Sequence, residues 1–228
     1  MRDESGFTVI ELLVSLIVSM AVISVITMMI TVTTHNEDRI ARRVDASQRG
    51  RPVMARIVNE LHSACVAPRI VPVIADGTAN GSSATRITFL SQSGEAVSPT
   101  PDKHVIALSG TTLSESVYPA TGGAAPSWTF SGTPSSTTPL LTNASAPGGA
   151  MFTYYRFQNG QLASTALPVP LSASNAALTA YVTISLTAAP SNGTSLLDAN
   201  SPITFSNSVD LRLESASQVP SQDNMPCT

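Results

Sequence analysis

From Phe7 to Val32 the chain runs for about 26 residues with Glu11 as its only charge and with no glycine or proline. Isoleucine, valine, leucine and methionine dominate the run. As a helix it covers roughly 39 Å, more than the ~30 Å of hydrocarbon in a bilayer, so the run is expected to span a membrane. A buried core helix is seldom so long and so uniformly apolar. A secretory signal would have a shorter apolar core ending in a small-residue cleavage site, whereas this run leads into TVTTHNED. The acid is the anomaly. An ionised side chain in hydrocarbon costs about 2.5 to 3.5 kcal/mol or more, so Glu11 marks a function and requires a partner.

Beyond the run the character of the chain changes twice. Six arginines fall between Arg39 and Arg56, and the sequence after Arg69 is rich in Ser, Thr, Ala, Pro and Gly. With 12% charged residues and a net charge of −3, the chain lacks the basic footprint of a nucleic-acid binder, and no nucleic-acid partner is expected. The segment THNEDRIARRVDASQRG reads as a solvated continuation of the helix. Gly50 and Pro52 predict an interruption and a kink, because an internal proline removes a hydrogen bond and collides with the preceding turn. The pattern then resumes: Met54, Ile57, Val58, Leu61 and Cys65 recur at helical spacing and define one stripe to be buried. Pro68 and Pro72 close it, so the rod is expected to run from Phe7 to about Ala67, roughly 90 Å if straight.

The remainder, 68–228, reads as a β head. Ile87 and Phe89, then Val182, Ile184 and Leu186, then Val209, Leu211 and Leu213, alternate with polar neighbours as strands buried on one face. Asn159 and Gly160 follow the aromatics Phe152, Tyr154, Tyr155 and Phe157 and signal a tight hairpin. KHVIALSG and TLSESVY predict a further pair around Gly110. The helical stripe packed on these strands gives an α+β fold with an antiparallel sheet. Low-complexity stretches between strands, 119–150 above all, are expected to be loops. Trp128 in that stretch either anchors it to the head or stands as an exposed contact.

Gly6, then Phe7, then Glu11 opening an apolar helix resembles the processing signal of type IV pilin-like proteins. The resemblance implies a leader, 1–6, cut by prepilin peptidase between Gly6 and Phe7, and methylation of the new Phe7 amine. It also implies a transmembrane and assembly helix over 7–32, an amphipathic continuation over 33–67 and an extracytoplasmic head over 68–228. The partner of Glu11 would be the Phe7 amine of an adjacent subunit. An amine and a carboxylate that are each costly in an apolar bundle become tolerable as a pair. Within one chain that amine also lies a single turn from Glu11, so an internal pairing is open before assembly.

The loose order of features along the head, and an apolar helix without proline, are most similar to minor pilins and J-type pseudopilins. Partners would then be prepilin peptidase, sibling subunits and the cytoplasmic membrane, with the protein ending in a cell-surface or periplasmic filament. The count of Arg39, Arg42 and Arg43 beyond the run against Arg2 before it favours the opposite orientation. The resemblance, which keeps the leader inside and the head outside, is followed here. A different class stays open: a single-span anchored binding or adhesion domain that does not polymerise.

Chemistry is sparse. His35, His62 and His104 have no ligand-like spacing with one another or with either cysteine, so no metal is expected. No nucleophile elbow or phosphate-binding loop is present, and neither catalysis nor a cofactor is expected. Cys65 and Cys227 either form a disulfide that clamps the tail to the rod, closing a loop of about 160 residues, or remain a buried apolar group and a terminal thiol.

Overall fold

The computed structural model describes residues 8–65, 70–77, 80–91, 100–124, 126–191 and 202–211. One helix dominates it. Helix α1, Val9–His62, is 54 residues long, about 81 Å at helical rise. Its first half makes no contact with the head, and its second half lies across it. The interruption expected at Gly50 and Pro52 does not occur, and α1 runs through both as one helix.

Packing explains the difference. Gly50 is buried, and a Cβ there would come within 2.2 Å of the Phe205 ring. The glycine therefore serves close approach of a strand to the helix and does not act as a breaker. Val53, Met54, Ile57 and Leu61 bury one stripe against the head on the next two turns. That anchoring outweighs the ~3 kcal/mol typical of an internal proline. The helix ends at His62, five residues earlier than expected. Ser63 N–H bonds the carbonyls of Asn59 and Glu60, after which Ala64 bridges Ser91 and Cys65 N–H bonds the Leu90 carbonyl at 2.8 Å. The chain leaves the helix by joining a sheet edge before the prolines are reached.

The head holds two four-stranded antiparallel sheets. In the first, β1 (Arg86–Ser91), β2 (Asp102–Ser109), β3 (Thr112–Tyr118) and β6 (Ser136–Thr142) lie side by side in that order. β2 and β3 form the hairpin expected around Gly110, pairing Ser109 with Thr112. In the second, β11 (Tyr181–Ala188) is central, with β12 (Ile203–Asp210) on one side. β7 (Ala144–Ser145) and β8 (Phe152–Tyr155) share its other side. Two short hairpins, β4 (Ala120–Ala124) with β5 (Ser127–Phe130) and β9 (Phe157–Gln158) with β10 (Gln161–Leu162), and a short helix α2 (Ala173–Leu178) complete it. Asn159 and Gly160 both take positive φ, 54° and 74°, as the tight turn between β9 and β10 requires.

Helix α1 packs on β12, β11, β6 and β1. Its stripe meets Ile87 and Phe89 of β1, Ile106 of β2, Leu113 of β3 and Val182, Ile184 and Leu186 of β11 in one core. The expected one-sided burial holds for β11, where buried and half-buried residues alternate. It fails for β1, where every residue after Arg86 is buried: Ile87 and Phe89 join the core under α1, while Leu90 packs with Cys65 and Ile70 and Thr88 Oγ1 donates to the Asn80 carbonyl. β12 reaches Asp210, and the end of the expected strand SVDLRLES lies outside the described residues. Val209 and Leu211 are buried as anticipated, and Leu213 lies outside the described residues.

The stretch 119–150 is not a loop. It contributes β4, β5, β6 and β7. β6, STTPLLT, is an edge strand. A register shift opposite Leu113 and Ser114 accommodates it, and Pro139 is tolerated because one side of an edge strand needs no ladder hydrogen bond. Only Leu141 is buried, with Leu140 packed beside it, so the strand rests mainly on backbone pairing with β3, which apolar patterning does not reveal.

The Gly50 and Phe205 contact yields a test. Gly50→Ala should lower head stability by about 1 to 2 kcal/mol although alanine is the better helix former. In a Phe205→Ala background the same substitution should be neutral or stabilising, measured by urea unfolding of the chain in lipid discs.

Candidate functional site

The first site is the bare end of the rod. Thr8 caps α1 with extended backbone, and Glu11 closes the cap. Thr8 N–H and Oγ1–H donate to Glu11 Oε2 at 3.1 and 3.0 Å, and Glu11 N–H donates to Thr8 Oγ1 at 3.3 Å. Both bonds to the carboxylate fall on Oε2, and none falls on Oε1 among the described residues. Thr8 was overlooked in the sequence, although T-V-I-E carries the capping-box spacing.

Past the cap, 17 large apolar side chains from Val9 to Val32 stand about half or more exposed. Covering each is worth on the order of 1 kcal/mol or more, so the set outweighs the 5–15 kcal/mol stability of an ordinary domain. Such a surface does not persist in water. The polar groups within it are already satisfied. Ser19 and Ser24 donate to the carbonyls of Ser15 and Met20, and Thr27, Thr31 and Thr33 to those of Ile23, Thr27 and Met29, all between 2.7 and 2.9 Å. Hydroxyls folded back onto the preceding turn present little polarity to lipid. Glu11, Ser15 and Ser19 share a shallow groove on one face, with the small residues four apart as in close helix–helix contacts.

The second site is the seam between rod and head, where the charged part of α1 proves to be more than a wet face. Arg49 donates to the Thr142 carbonyl and hydroxyl at 3.0 and 2.8 Å and to the Ala189 carbonyl at 3.3 Å. Asp45 Oδ2 accepts from Ser191 N–H at 2.9 Å and from its hydroxyl at 3.2 Å. Two turns on from Arg49, Arg56 pairs with Glu60 at 2.7 Å and reaches across to Glu115 of β3. Glu115 in turn is bonded to His104 Nδ1 at 2.8 Å, and the His104 ring stacks on Phe89.

Burial pushes the Glu60 carboxyl above its ordinary value, against the hydrogen bond from Arg56. Burial acts the same way on Glu115. There the hydrogen bond from His104 and the charge of Arg56 outweigh it and leave Glu115 below its ordinary value. The pair therefore keeps Glu115 as the anion and lets Glu60 take the proton.

Ligand-type atoms of Glu60, His104 and Glu115 lie within 4.8 Å of one another, a cluster that sequence spacing did not reveal because its members come from α1, β2 and β3. Of the described residues these three could hold a cation. Arg56 already bonds both carboxylates and supplies the positive charge a metal would bring.

Of the other residues singled out in the sequence, Gly6, Phe7 and Cys227 lie outside the described residues. Cys65 is fully buried and disulfide-bonded. Trp128 lies on β5, half-buried, and packs with Phe130 against Cys65, Ile70 and Leu90. It anchors its hairpin to the head.

No protein-family model, curated protein or solved structure matches the chain. Among the described residues one helix, α1, is long and apolar enough to cross a membrane, and it carries a β-sheet head on its second half, an arrangement compatible with the general pilin-like plan.

The seam has a pH signature. Glu115, lowered, contributes stability above the ordinary carboxylate value of 4.5 and loses it as pH falls through its own lower value. Glu60, raised, contributes below 4.5 and loses it as pH rises through its higher value. Head stability should therefore peak in weak acid. Glu60→Gln should abolish the gain seen as pH is lowered from neutral toward 4.5. Glu115→Gln should cost about 1 to 3 kcal/mol at neutral pH and remove the loss toward pH 3, read from urea midpoints.

Proposed function

We propose that the chain is a non-enzymatic structural subunit, a minor pilin or pseudopilin, of a type IV pilus or type II secretion-like filament. Prepilin peptidase cuts it between Gly6 and Phe7, the Phe7 amine is methylated, and the helix passes from the cytoplasmic membrane into a bundle of sibling helices with the head outside. The observation that carries this reading is the bare apolar half of α1 with Glu11 on its first turn. An anchor alone needs the apolar surface but not the acid. With Oε2 held by Thr8, Oε1 remains for the amine of a neighbouring subunit, and Ser15 and Ser19 on the same face let that neighbour approach.

A second reading, a single-span anchored head that does not polymerise, draws on the same cap. Thr8 satisfies Glu11 within one chain, so the acid would need no other molecule. Two measurements separate the readings. Mass spectrometry of the membrane-derived protein should show a chain beginning at N-methylated Phe7, whereas an intact Met1 terminus would favour the plain anchor. Glu11→Ala should leave membrane insertion intact and lower incorporation into filaments about tenfold, the effect of losing roughly 1.4 kcal/mol. Thr8→Val, which breaks the cap but keeps the acid, should spare incorporation. Equal behaviour of the two variants would reduce Glu11 to a capping residue.

A further inference from the structure

A cleft on the head, used neither by the membrane helix nor by the rod seam, has the lining of a small-ligand site. Its volume is about 380 Å³, within the range of small-molecule pockets. Ile70, Val73 and Ile74 form one wall and Leu90 of β1 adds to it. Trp128 and Phe130 of the β4–β5 hairpin form another. The single polar side chain of charge in this lining is Lys103 of β2, the only lysine in the sequence.

Lys103 is placed unusually for a surface lysine. Its Nζ stands 4.5 Å from the centre of the Tyr118 ring and 5.6 Å from that of Phe130. No carboxylate among the described residues pairs with it. Asp102, its neighbour on β2, points to the opposite face of the strand. Partial burial pushes the Lys103 ammonium below its ordinary value, with no carboxylate of the described residues beside it to offset the cost. Two aromatic faces soften that cost but do not supply a countercharge.

We propose that this cleft binds a small monocarboxylate with a flat or short apolar body, its acid on Lys103 Nζ and its body between Trp128, Phe130 and the Ile70–Ile74 wall. The apolar lining favours the body, and the lack of an acid partner among the described residues selects the charge. A cationic ligand would meet Lys103 as a like charge, and a neutral one would leave its ammonium uncompensated. The site does not depend on whether the chain assembles into filaments, so its failure and the failure of that reading are distinguishable.

The test uses the full chain in phosphatidylcholine discs with a tryptophan-free scaffold and 3-phenylpropionate as probe. Trp128 is the only tryptophan in the chain, so its fluorescence reports on the cleft directly. Saturable binding of the acid is expected. 3-Phenylpropan-1-ol and 3-phenylpropylamine should bind at least about tenfold more weakly, as should the acid to Lys103→Met, the scale of one charge-assisted hydrogen bond. Lys103 of the unmodified chain should also be protected from acetylation by the bound acid, read by peptide mass spectrometry, which keeps the test independent of how the variant folds. Absence of saturable binding, equal binding of the alcohol, or an unprotected Lys103 would each overturn the proposal.

Discussion

The structure depends on the contrast between the two halves of one helix. From Val9 to about Thr34, α1 has no protein around it and a surface that water does not tolerate; from Ala46 to Leu61 it is a structural member of the head. The same 3.6-residue geometry serves both because the sequence changes what the side chains meet. In the first half apolar residues surround the helix on all sides, as lipid or a bundle of like helices requires. In the second they narrow to a stripe.

Joining the halves rigidly requires more than apolar packing. The stripe fixes which face of α1 meets the head, and Gly50 sets how near β12 comes by leaving space for Phe205. Arg49 and Asp45 tie the rod to the end of β6 and to residues after β11, while Arg56 reaches to β3. Charges that seemed excess along a wet helix are thus bonded to carbonyls, amides and a buried carboxylate at the seam. Glu115 and His104 rest beneath Arg56 and carry the seam into the first sheet.

Much of this was legible in the sequence where a single physical demand acts alone. The spanning run, the buried stripe of Met54, Ile57 and Leu61, the β2–β3 hairpin and the Asn159–Gly160 turn each follow from local periodicity or turn chemistry. What was not legible involves residues far apart in the chain or groups with more than one use. Gly50 reads as a breaker until Phe205 is seen beside it. β6 is mostly polar, contains Pro139 and buries only Leu141 fully, so its pairing with β3 leaves no alternating apolar pattern. Arg56 and Glu60 are an i, i+4 pair on α1, but the approach of His104 and Glu115 to them has no sequence spacing to betray it, since three elements bring the cluster together. Thr8 is the exception: its capping pattern with Glu11 was there to be read.

The account stands on the apolar half of α1 lying within a bilayer while the charged continuation lies in water. Nitroxide labels at Leu16, Ile23 and Glu37 of the full chain in phosphatidylcholine bilayers test this directly by power-saturation electron paramagnetic resonance. Collisions with oxygen should exceed those with a water-soluble nickel chelate at Leu16 and Ile23, with the order reversed at Glu37. Ready access of the nickel chelate to Ile23 would contradict a spanning helix, and with it the division of α1 on which the fold and its proposed role rest.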